Sequence, residues 1–79
     1  MTTKFKEEID NTIQKRKNKI DNFITSKERT NYVISNFDFI FSELMDIAIE
    51  HSQKTQNEHV GYNDYIKEQM ENLMDYSRN

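Results

Sequence analysis

Apolar side chains return every three or four residues along most of this 79-residue chain. That spacing matches the turn of an α-helix and conflicts with the strict alternation of a half-buried strand. Proline is absent and glycine occurs once, at Gly61, so the strongest helix breakers are almost missing. The chain is therefore expected to be all-α, a single small helical domain over residues 1–79.

The first stripe comprises Phe5, Ile9, Ile13, Ile20, Phe23 and Ile24, which share one face at about 100° per residue. It predicts a helix over about 4–24, with Thr3 as its cap and Glu7 and Glu8 near its positive end. Arg16 stands where this stripe calls for an apolar residue. A charged residue there either reaches water along its aliphatic stem or pairs with an acid across a helix interface.

The second stripe is the most regular. Val33, Phe37, Ile40, Leu44, Ile47 and His51 step alternately by four and three, and Ile34, Phe41 and Ala48 widen the face. Asp38, Glu43, Asp46 and Glu50 keep to the other side. The pattern predicts a helix over about 27–54, roughly 40 Å long and packed with coiled-coil-like geometry. Residues 55–61 lose the period and end at Gly61, which reads as a loop. A third helix over about 62–77 follows, with Asn63 as cap and Tyr62, Tyr65, Ile66, Met70, Leu73 and Tyr76 facing inward.

Between the first two stripes, Thr25 and Glu28 have the spacing of a capping box. The expectation is an antiparallel hairpin of two long helices plus the shorter third. The alternative is that the first two run on as one helix, because a heptad seam passes through Arg16, Lys27 and Thr30 without a break.

Hydrophobic residues make up only 34% of the chain and charged residues 32%, a thin supply of core for a lone domain of this size. Tyr32, Phe39, Met45 and Ile49 also project beyond the main stripe of the second helix. Together with Arg16 they form the expected protein interface, and a homodimer in a four-helix-type or larger bundle is expected. Charge is unevenly divided: residues 1–30 carry a net +3 and residues 31–79 a net -6. Lys15, Arg16, Lys17 and Lys19 are the most basic stretch and the alternative contact, for the phosphates of a nucleic acid. No aromatic residue interleaves that cluster, and a basic helix lying beside an acidic one explains it as well.

The residues for common catalysis are not assembled. Glu43 with Asp46, and Glu68 with Glu71, are pairs three apart, but each pair lies opposite its helix's apolar stripe and cannot meet the other within one chain. His51 continues a stripe and reads as a core or interface residue, and His59 lies in the loop without metal-ligand spacing. Without cysteine there is no disulfide frame or thiolate zinc site. No apolar run approaches the ~20 residues of a membrane span. The expectation is a cytoplasmic, non-enzymatic interaction protein with no cofactor, metal or membrane contact. Its expected partners are itself and another protein, met through an acidic, aromatic-dotted surface. Amino acids with AT-rich codons are favoured, a texture shared with the short accessory proteins of phages and mobile elements.

Overall fold

The computed structural model describes residues 3–54 and 61–79. Four helices follow one another there: α1 (Thr3–Ile20), α2 (Ser26–Ser35), α3 (Phe37–Lys54) and α4 (Tyr62–Arg78). No strand occurs among the described residues, and the secondary structure described is all helical. The expected loop over 55–61 lies, apart from Gly61, outside them.

The first helix is shorter than its stripe. Asp21 N–H still bonds to Lys17 O at 2.9 Å, but Asn22 and Phe23 then donate three residues back, to Lys19 O and Ile20 O. These shorter-range bonds tighten the last turn, and the helix stops there. Ile24, expected on the inner face, is consequently 90% exposed, while Phe23 is half-buried with its ring 5.6 Å from that of Tyr32. Thr3 is the first residue of α1, and Glu7 and Glu8 lie beyond the first turn, which carries no acid.

A true break separates α1 from α2, so the single continuous helix does not form. Thr25 takes extended backbone angles and its Oγ1 accepts from Glu28 N–H at 3.1 Å. The reciprocal contact differs from a capping box, since the Glu28 carboxylate receives the Thr25 hydroxyl at 3.0 Å.

The long second helix is itself interrupted at Asn36. That residue has φ -108° and ψ 9°, and it separates α2 from α3. Its backbone N–H reaches Tyr32 O at 3.1 Å, and its side-chain Nδ2 competes for the same oxygen at 2.9 Å. Side-chain insertion of this kind is a recognised cause of helix breaks. Gly61 caps α4 with φ 93°, a left-handed conformation that glycine adopts without steric penalty, so α4 starts before Asn63, the expected cap.

Phe5, Ile9 and Ile13 from α1 bury against Ile40, Leu44 and Ala48 from α3 and Ile66, Met70 and Leu73 from α4. Val33 is the one buried residue of α2, which packs chiefly on α4. Contacts fall in reverse order along α1 and α3 (Glu8 with His51, Arg16 with Glu43) and in the same order along α1 and α4 (Phe5 with Tyr62, Asp21 with Tyr76). The body measures 43 × 19 × 15 Å. A cross-section that narrow holds one core line and leaves each helix an outward face.

Candidate protein-interaction surface

Helix α3 turns Ile40, Leu44, Ala48 and His51 inward. Its two flanks then meet different neighbours, because residues one position away from the buried line are rotated by about 100° to either side.

The flank toward α1 is built around Arg16. Its Nη1 donates to Tyr32 Oη at 2.9 Å and its Nη2 to Glu43 Oε1 at 3.4 Å. The guanidinium also lies 5.4 Å from the centre of the Phe39 ring, within cation–π range. Burial pulls the Arg16 pKa down, but the Tyr32 hydrogen bond and the charges of Tyr32 and Glu43 outweigh it, so the pKa is raised. The guanidinium stays charged at any pH that proteins tolerate. The place where Arg16 broke the apolar stripe is thus filled within the chain. Phe39 lies over this arrangement with 66% of its surface exposed.

The flank toward α4 is apolar. Phe37 and Phe41, with parallel rings 6.5 Å apart, form one wall of a groove of about 280 Å³. Met70 and Met74 line the other wall, and Lys67 and Glu71 stand at its edge. Phe37 is 38% exposed, and Ile34, three residues earlier across the Asn36 break, is 59% exposed. Both were expected to face the core. The break at Asn36 takes α2 out of register with α3, and the stripe drawn through Ile34 and Phe37 opens to solvent.

The five expected interface residues therefore separate. Arg16, Tyr32 and Phe39 come together, and Tyr32 packs partly against the core. Met45 is half-buried and follows Phe41 by one turn, on the α4 side. Ile49 is 51% exposed on the outer face. The basic segment also disperses. Lys15 and Lys19 are exposed on one face, Arg16 turns toward Tyr32 and Glu43, and Lys17 Nζ lies 5.2 Å from the Tyr76 ring.

Elsewhere, polar residues seal seams. His51 is buried edge-on to Phe5, with its Nε2 2.5 Å from Glu8 Oε2. Tyr65 donates to Asp10 at 2.7 Å, and Tyr76 donates to Asp21. Burial, then the bond to Asp10 and the charges of Asp10 and Glu68, push the Tyr65 phenol up to about 12. Arg29 escaped the sequence reading, yet it donates to Phe23 O, Ile24 O and Asn79 O at 2.8–3.2 Å, tying the α1–α2 turn to the end of the chain. The groove was missed too, since only the mutual rotation of α3 and α4 creates it.

Among the described residues no cluster of three or more His, Asp or Glu side chains is placed to hold a metal ion, and no helix is long and apolar enough to cross a membrane. Comparison with family models, with curated proteins and with solved structures finds no match to this chain.

Proposed function

We propose that the chain is a small non-enzymatic helical module that self-associates and presents a separate face to another protein. The observation that carries the second half is the cluster of Arg16, Tyr32 and Phe39: an exposed ring against a guanidinium fixed by Tyr32 and Glu43. Arginine and tyrosine are enriched among residues that dominate binding energy, and groups already held in place lose little entropy on docking. Glu43, Asp46 and Glu50 occupy the same side of α3 as Phe39. A partner with an apolar socket rimmed by basic side chains suits that face. The thin core and the apolar residues left exposed support self-association.

The nucleic-acid reading ranks second, because only Lys15 and Lys19 of the basic segment stand together in solvent. The test is to capture a partner from the native host, purify it, and titrate it against the wild-type chain and Phe39→Ala. Affinity should fall by about tenfold or more with helicity unchanged. Equal affinity of the two chains would overturn the assignment of this face. Recovery of nucleic acid alone, lost in Lys15→Ala with Lys19→Ala, would overturn the reading in favour of the second.

A further inference from the structure

The groove between α3 and α4 has a composition unlike the rest of these two helices. Acidic residues outnumber basic ones from residue 31 onward, nine to three. At the groove, however, the charged lining residues are one lysine and one glutamate, Lys67 and Glu71, with Phe37, Phe41, Met70 and Met74 between and opposite them. A strongly basic partner would find its charge complement on the Phe39 side of α3, not here. A second copy of the chain would meet like charge over most of the acidic half, but not at this balanced edge.

Two properties of the groove fit a copy of itself. The first is charge. A two-fold axis lying across α4 midway between Lys67 and Glu71 pairs Lys67 of one copy with Glu71 of the other, twice over, as an isologous interface requires. The second is shape. Phe37 lines the depression yet is 38% exposed, and Ile34, three residues before it, is 59% exposed, so each copy carries exposed apolar side chains as well as the recess. Methionine walls adjust readily to an inserted side chain.

We infer that the α3–α4 groove is the self-association face of this chain, occupied by a second copy in an antiparallel two-fold arrangement held in register by reciprocal Lys67–Glu71 pairs. This rests on the self-association half of the proposed function and assigns it a location. The Phe39 face, on the other flank of α3, stays open in that dimer.

Charge exchange provides the test. The wild-type chain, Lys67→Glu, Glu71→Lys and the double exchange are compared by sedimentation equilibrium at micromolar concentration, with circular dichroism to confirm that each remains helical. Both residues are exposed, so the single changes leave the core intact. Each single reversal sets like charges opposite one another at both ends of the interface and should weaken the dimer by about tenfold or more, and the double exchange should restore it. Phe37→Glu should weaken it further, by about thirtyfold or more. A dimeric wild type whose single reversals and Phe37→Glu all remain dimeric would overturn the groove assignment alone. Single reversals that dissociate without rescue by the double exchange would overturn the antiparallel register. A monomeric wild type would overturn the self-association reading and this inference with it, leaving the groove to a helix of another protein.

Discussion

The two flanks of α3 solve the same problem in opposite ways. On the α1 side the helix meets a charged residue in an apolar stripe, and the chain supplies it with a phenol, a carboxylate and a ring face. On the α4 side Phe37 and Phe41 face Met70 and Met74, with Lys67 and Glu71 at the edge, and a depression remains between them. The polar flank satisfies its guanidinium within the chain, whereas the apolar flank keeps an open depression. Polar groups must find hydrogen-bond partners within the fold or in water, whereas apolar surface can remain uncovered until another surface reaches it.

Five changes break or sharpen this contrast. The largest effect belongs to the buried edge from which both flanks diverge. Leu44 is fully buried in α3, and Leu44→Ala should cost about 3 kcal/mol in urea denaturation and loosen both flanks together. Arg16→Met removes the polar flank's centre and leaves Tyr32 and Glu43 to water. A loss of about 1 kcal/mol is expected, because the side chain is mostly buried while Glu43 is 41% exposed. The dimer should persist in this variant, since Arg16 contacts the other flank of α3 and does not line the groove. Arg29→Ala unties three carbonyls from a single guanidinium and should lower stability by about 1 kcal/mol, with faster amide exchange in the 21–25 turn.

A smaller effect is expected at Tyr62. Its hydroxyl is buried and without a hydrogen-bond partner among the described residues, while its ring stacks on Phe5 at 4.2 Å. Tyr62→Phe keeps the stack and removes the unsatisfied oxygen, so stability should hold or rise by up to about 1 kcal/mol. A clear loss would contradict that account. The smallest effect is a pH dependence on the α1–α4 seam. The Tyr65 pKa in the fold, about 12, lies above its ordinary value of 10.0, so folding favours the neutral phenol. Its contribution is intact below pH 10.0 and is lost as pH rises toward about 12. Tyr65→Phe should flatten the stability curve across that window, as followed by denaturation at stepped pH.

Much of this fold is legible in the residue spacing. The three-and-four rhythm locates α1, α3 and α4 and names most of the core, from Phe5 and Ile9 to Ile66 and Leu73. Thr25 marks the start of α2, and Gly61, left-handed at φ 93°, marks the start of α4. The break at Asn36 is not legible, because asparagine is an ordinary helix resident until its amide takes the carbonyl of Tyr32. The early end of α1, at the turn through Asp21 and Asn22, carries no glycine or proline to announce it, and it takes Ile24 out of the core. Arg16 was visible as an anomaly, but its partners Tyr32 and Glu43 lie 16 and 27 residues away. The groove depends on how α3 and α4 rotate about each other, and a period along one helix carries no information about that.

The contrast between the flanks is tested most directly by dilution of the wild-type chain with its methionine methyl groups and phenylalanine rings labelled for NMR. The account predicts that Met70 and Met74 methyl signals and the Phe37 ring shift with concentration from micromolar upward, while the Phe39 ring does not. Signals independent of concentration at Met70 and Met74, or shifts confined to Phe39, would contradict it.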